Sequence, residues 1–397
     1  TPLYSSAASD VYKRQAVFFL CAMTIFFTGA QTGLAVRPSS GNPKVTAPVI
    51  RVAILKGLRS LDIHGRDLSI RDLRSFQNLY ESRTPSRVIL KGEANGIRVA
   101  GVLHKTSLVS VTTTSPVLTI NGKTYRGKLE IAREQDNTLT IINELDIEKY
   151  LIGLINHEIS SAWNLEAVKA QAIVARTYAI FQKYKRQEDF YDMVSSVLDQ
   201  VYGGTLSEDE RARQAVNETR GLIVTYKGNP ILALYHSSCG GRTESSKYFT
   251  GEDLPYLRGV SCQFCSNAPN YFWIYNIPLD KLAKAIASDG YRVGNIIAIN
   301  VKKRTPSHRA YEISIVSDTG TITIQGEKMR KAVGYDRLKS LNFNVSIKNN
   351  EAVFMGSGAG HGVGLCQWGM KGMADKGYTY KQILNYYYPG TNLKKLY

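Results

Sequence analysis

Glu158, two short-spaced pairs of soft ligands and one glycine-rich loop are the residues of this 397-residue chain whose types and spacing could do chemistry. Glu158 closes the segment IEKYLIGLINHE, in which Ile147, Tyr150, Leu151, Leu154 and Ile155 recur at the spacing of one buried helical face. The partial negative charge at a helix C-terminus disfavours an anion, and apolar Ile155, Ile159 and Trp163 nearby add desolvation. Both effects raise a carboxyl pKa and suit a general acid that is protonated near neutrality. Position alone is a weak signal, since a lone Glu at a helix end is usually a solvated surface residue.

His236-Ser-Ser-Cys239 and Cys262-Gln-Phe-Cys265 form an H-x2-C pair followed by a C-x2-C pair. His236, Cys239, Cys262 and Cys265 therefore have the spacing of a tetrahedral zinc site, and with four protein ligands the zinc would be structural, closed to water. In an exported protein the cysteines could pair instead, and the four beyond the N-terminal segment, Cys366 included, allow three pairings. The His three residues before Cys239 is used under zinc and accidental under disulfides. Cys366 could be a free buried thiol or compete as a ligand.

His361 and Cys366 lie in GSGAGHGVGLCQWG, residues 356–369, whose glycines allow close backbone approach to a ligand or to another segment. The run lacks the strand and G-x-x-x-x-G-K-[ST] of a phosphate loop, so a turn with a satisfied His is the default. The 50 Lys and Arg against 33 Asp and Glu give a net charge of +17, enough to attract a polyanion. No nucleic-acid motif accompanies the basic tracts Lys183 to Arg186 and Lys302 to Arg304, which read as solvated faces. With 24 Tyr against 12 Phe and 3 Trp, the aromatics favour a wet groove with apolar faces, a hint of sugar or peptide binding.

The elements that must position these residues follow an α+β pattern. A hydrophobic content of 43% and a charged content of 21% exclude a disordered or fibrous chain, and the length suits two or three domains. Residues 1–15 read as a translated sequencing-adapter end. Residues 16–35 form an uncharged apolar stretch, read as a signal peptide or membrane anchor, and the chain is expected to be exported. Residues 36–48, rich in Pro, Ser and Gly, form a linker.

From residue 49 to 143 short β-branched runs separated by turn signals predict a β-rich domain, with strands at Val49 to Leu55, Arg87 to Leu90, Gly96 to Leu103, Leu108 to Thr113 and Leu118 to Ile120, and a turn at Asn121-Gly122. Residues 144–397 form a mixed α+β domain, in which Asn164 caps the clearest helix of the chain. Strands follow at Leu222 to Tyr226, Ile231 to His236, Ile296 to Lys302, Glu312 to Ser317 and Thr321 to Gln325, with helices around Leu279 to Ser288 and Gly326 to Val333.

Four separate segments, in order, resemble the SpoIID/LytB family, named for a peptidoglycan lytic transglycosylase: LDIEKYLIGLINHEISSAWNLEAVKAQAIVARTYAI (145–180), DQVYGG (199–204), NETRGLIVTYKGNPILALYHSSCGGRTE (217–244) and GHGVGLCQWGMKGMADKGYTYKQILNYYYPG (360–390). The resemblance extends over about residues 49–397. It implies that Glu158 is the catalytic acid and that Lys169, Gln171, Arg176 and Tyr178 lie on a helix that helps build the substrate groove. It also assigns His236, Gly240, Gly241 and Thr243 to an H-S-x-x-G-G-x-T loop, and His361, Gly362, Gly364 and Gln367 to the closing glycine-rich motif. Ile159-Ser160-Ser161 departs from the Pro-containing turn that usually follows the family's Glu.

Ordinary glycosidases use two carboxylates. A lytic transglycosylase can use one, because the muramyl C6 hydroxyl attacks its own C1. The expected substrate is peptidoglycan, in glycan strands stripped of stem peptides, cleaved between N-acetylmuramic acid and N-acetylglucosamine. Gln200 and Tyr202 of DQVYGG are candidates for stabilising the transition state. A non-catalytic wall binder that enhances an N-acetylmuramoyl-L-alanine amidase is the other expectation. A zinc hydrolase is a third possibility, and it would need an open coordination position.

Overall fold

The computed structural model describes residues 46–196 and 199–397; the adapter-like end, the apolar stretch and most of the linker lie outside them. Two sheets open the described chain. A seven-stranded sheet runs in the order Met193–Val194, Val49–Leu58, Leu139–Asp146, Lys128–Arg133, Leu108–Thr112, Ser69–Asp72, Asn78–Glu81. A six-stranded sheet places Ser60–Arg66 between Leu118–Ile120 and Pro85–Glu93.

Asn121 and Gly122 both have positive φ, 47° and 81°, as the tight turn between Leu118–Ile120 and Lys123–Tyr125 requires. The span 96–103, expected as one strand, is a hairpin of Gly96–Val99 and Val102–His104, because Ala100 and Gly101 turn the chain with φ of 49° and 88°.

Leu139–Asp146 runs straight into helix α1, Ile147–Glu158, whose first N–H groups are capped by the Asp146 carboxylate. Helix α2, Leu165–Lys185, is capped by Asn164 as the sequence predicts. The two helices are locked by a buried ion pair in which Arg176 donates to both Glu148 oxygens at 3.0 and 2.7 Å. Helix α3, Glu210–Glu218, packs beside them. One hydrophobic core runs unbroken from Ile50, Ile63 and Val111 of the sheets through Leu151 and Ile173 of the helices to Leu384 near the C-terminus.

A second, separate core is made by the segment between Cys265 and Gly358. Here helix α4, Leu279–Ser288, and helix α5, Gly326–Val333, cover two three-stranded sheets, and Trp273, Leu282, Ile313, Phe343 and Phe354 fill the interior. The chain then re-enters the first core. Leu365–Cys366 pairs in parallel with Tyr235–His236, helices α6 (Gln367–Asp375) and α7 (Tyr380–Tyr387) follow, and Asn392–Lys395 adds to Leu222–Tyr226. The expected strand from Ile231 to His236 is reduced to Tyr235–His236, since a hydrogen bond from the Leu234 N–H to the Leu232 carbonyl bends the residues before it. The architecture is α+β.

Candidate active site

Glu158 is the last residue of α1, and its carboxyl sits at the meeting point of three segments distant in sequence. The side chain of Tyr235, the backbone N–H of Val201 and the side chain of Gln367 all hydrogen-bond to it. Behind Tyr235 the donors form an ordered line. The Tyr150 hydroxyl donates to Gln200 Oε1 at 2.9 Å, and Gln200 Nε2 donates to the Tyr235 hydroxyl at 3.1 Å, which leaves the Tyr235 proton for Glu158. Gln367 Nε2 also reaches the Glu158 carbonyl at 3.4 Å and Gln171 Oε1 at 3.5 Å.

Glu158 is half-buried as a residue, and protein closes in its carboxyl. Burial pushes its pKa up to about 7, and the three hydrogen bonds hold it from rising further. Among the described residues, no second carboxylate stands among the groups that act on it. This carboxyl can therefore exist as acid and as base near neutral pH, which is the property that acid–base catalysis requires.

The glycine-rich loop acts through Tyr235. His361 Nε2 donates to the Tyr235 carbonyl at 2.9 Å, and His361 Nδ1 accepts the Val363 N–H at 3.1 Å. The ring stacks on Phe249 at 4.6 Å, and burial lowers its pKa to about 4. With both nitrogens used and the ring neutral, His361 braces Tyr235 and is not placed to move a proton. Beneath the loop lies Arg309, a buried residue of the second core's segment, which donates to the carbonyls of Cys239 and Arg242. A Cβ at Gly362 would fall 2.4 Å from the Arg309 guanidinium, so only glycine fits over that plug.

The structure revises the ligand set read from spacing. Cys239, Cys262 and Cys265 come together with Cys366, all four sulfurs lying within 4.8 Å of one another and all four free of disulfides. His236 is not in the group. Its Nδ1 donates to the Val363 carbonyl at 3.1 Å, its Nε2 is buried without a partner, and burial holds its pKa well below the usual imidazole range. Parallel pairing of His236 with Cys366 brings Cys366 beside Cys239, whose N–H donates to its sulfur.

Of the other residues drawn from the resemblance, Gln171, Gln200 and Gln367 belong to the network around Glu158. Five do not meet it. Arg176 is fully buried on Glu148, ten residues and about 15 Å along α1 from Glu158. Lys169 pairs with Glu166 and Glu218 at 2.9 and 2.7 Å, and Tyr178 donates to Asp199 at 2.9 Å. Tyr202 packs its ring on Tyr150 and Tyr125, and Thr243 Oγ1 accepts the Val260 N–H at 2.7 Å. These are scaffold contacts. From DQVYGG it is the Val201 backbone, not the Tyr202 side chain, that reaches the carboxyl.

The sequence reading passed over Tyr235, although it stands next to His236, and it passed over Trp368. Trp163 and Trp368, half-buried, form a tilted pair at 5.3 Å with Lys371 over both rings. They follow closely on Glu158 and Gln367 in the chain and offer the flat apolar faces that a sugar ring can cover.

This fold and carboxyl belong to a protein of the SpoIID/LytB family. Residues 135–226 match the family model described as stage II sporulation protein, SpoIID, and residues 263–364, which hold the second core, match a domain of unknown function, DUF8618. An uncharacterized protein of Brachyspira hyodysenteriae is 34% identical over 327 residues, 81% of this chain and 87% of that one. The amidase enhancer of Bacillus subtilis is 29% identical over 288 residues, 61% of this chain and 40% of the enhancer. Stage II sporulation protein D of the same organism is 27% identical over 270 residues, 64% of this chain and 76% of that protein.

Proposed function

We propose that this protein is a peptidoglycan lytic transglycosylase of the cell envelope, with Glu158 as its single acid–base group. The observation that carries the reading is one carboxyl held near pKa 7 by burial, on a half-buried residue and ringed by donors, with no second carboxylate among the described groups that act on it. In the first half of the reaction, protonated Glu158 gives its proton to the glycosidic oxygen between N-acetylmuramic acid and N-acetylglucosamine as the C1–O bond breaks. In the second, the muramyl C6 hydroxyl adds to C1 while Glu158, now a carboxylate, takes the hydroxyl proton. The residue ends as it began, water is not consumed, and the product is a 1,6-anhydromuramyl end.

Tyr235, the Val201 N–H and Gln367 steady the carboxylate between the two halves, as charge-assisted hydrogen bonds do. Glycans stripped of stem peptides are the expected substrate. The net charge of +17 favours residence on an anionic wall. Among the described residues no helix is long and apolar enough to cross a membrane.

The similarity to an amidase enhancer supports a second reading, a wall binder that assists an amidase and does not need Glu158 to titrate. Incubating the protein and Glu158→Gln with intact and amidase-stripped peptidoglycan separates the two. Anhydromuramyl ends that depend on Glu158 support the enzyme. Amidase stimulation that survives Glu158→Gln, without sugar release, supports the enhancer.

A further inference from the structure

Cys239, Cys262, Cys265 and Cys366 come from three places in the chain: the loop after Tyr235–His236, the turn that leads into the second core, and the N-cap of α6. A zinc ion bonded to sulfur at about 2.3 Å sets neighbouring sulfurs of a tetrahedron about 3.8 Å apart. The four sulfurs here lie within 4.8 Å of one another, with Cys239 and Cys265 at 3.5 Å. That spacing suits one ion, whereas an iron–sulfur cubane, with an iron at each corner, needs its thiolates farther apart.

The surroundings favour thiolates. Cys366 Sγ accepts the N–H groups of Cys239 and Gly369, both at 3.3 Å, and the Tyr387 hydroxyl lies 3.2 Å from Cys262 Sγ. The Arg309 guanidinium, 2% exposed and bonded to the Cys239 carbonyl, places a positive charge beside a site whose four thiolates and one divalent ion would carry two negative charges. A Cβ at Gly369 would stand 2.7 Å from Cys262 Sγ and 3.2 Å from Cys366 Sγ, so the helix can approach the sulfurs only with glycine there.

We infer that Cys239, Cys262, Cys265 and Cys366 bind one zinc ion, a closed structural centre that joins the His236 loop, the root of the second core and the start of α6. Gln367, which reaches Glu158, directly follows the ligand Cys366, so the ion fixes one wall of the site without touching substrate. The assignment stands independently of what Glu158 does.

The test is the metal content of the full-length protein by plasma mass spectrometry, followed by exchange with cobalt(II) and an absorption spectrum. We expect one zinc per chain and, after exchange, the intense thiolate-to-cobalt bands of a tetrahedral four-sulfur site. His236→Gln should keep both. Cys366→Ser should lose the four-sulfur spectrum; if that variant does not fold, cobalt bands and thiol counting on the unaltered protein still decide. Four disulfide-bonded cysteines with no metal, one iron in place of zinc, or loss of the metal on His236→Gln alone would overturn the assignment.

Discussion

Tyr235 holds Glu158 with its hydroxyl and is itself held by His361 through its carbonyl, at 2.9 Å. One residue thus couples the carboxyl at the end of α1 to the glycine-rich loop more than two hundred residues later. Its hydroxyl lowers the pKa of Glu158, opposing burial. Tyr235→Phe removes that donor from the charged form, so the pKa of Glu158 should rise above about 7 by roughly one pH unit. The alkaline limb of the pH–rate profile for glycan cleavage should move upward by the same amount. A limb that stays in place would separate Tyr235 from the titration.

The pKa of Glu158 also makes a statement about stability. It lies near 7 in the folded protein against an ordinary value of 4.5, so folding favours the protonated form. The stabilisation is complete below about pH 4.5 and is lost as pH rises toward and through 7. Glu158→Gln mimics the neutral form. It should melt close to the unaltered protein at pH 4.5 and above it at pH 8, by on the order of 1–3 kcal/mol, discounted because Glu158 is only half-buried as a residue. Thermal melts at the two pH values check this.

Arg176 and Glu148 form the buried pair that locks α1 to α2, with Tyr397 and the Gly221 N–H also bonded to the carboxylate. Arg176→Ala strands a buried charge and should cost about 3–5 kcal/mol in denaturant unfolding. Glycan affinity measured well below the new midpoint should be unchanged. A loss of affinity without a loss of stability would return Arg176 to the groove.

Trp163 and Trp368 present a tilted aromatic pair beside the segments that carry Glu158 and Gln367. Removing either ring, Trp163→Ala or Trp368→Ala, should weaken glycan binding about tenfold, the loss of one stacking face. Sedimentation with purified glycan strands measures it. Lys371→Ala, which removes the cation over both rings, should have the smaller effect.

Apolar faces that repeat within a single window mark α1, α4 and α5 in the sequence, whereas α2, buried on most sides, is marked by its Asn164 cap and its strong helix formers. Glu158 stands out through the family resemblance, since its place at a helix end is by itself a weak signal. What spacing along the chain could not provide was the partner of each local motif. Cys366 joins Cys239 only because two two-residue strands pair across 130 residues, whereas His236, at ligand spacing from Cys239, turns its ring to Val363. The second core was read as loose strands and helices of one domain, since nothing local marks where its chain leaves at Cys265 and returns at Gly358. The resemblance places Arg176 and Tyr178 of α2 at the groove, yet both satisfy buried carboxylates, a use that only the packed structure reveals.

The measurement that bears most directly on the function is mass spectrometry of the sugars released from amidase-stripped peptidoglycan by the protein and by Glu158→Gln. We expect 1,6-anhydromuramyl ends from the first and none above background from the second, with release falling as pH rises past about 7. Equal release by both would contradict the role of Glu158, and no release by either would leave the amidase-enhancing wall binder as the function.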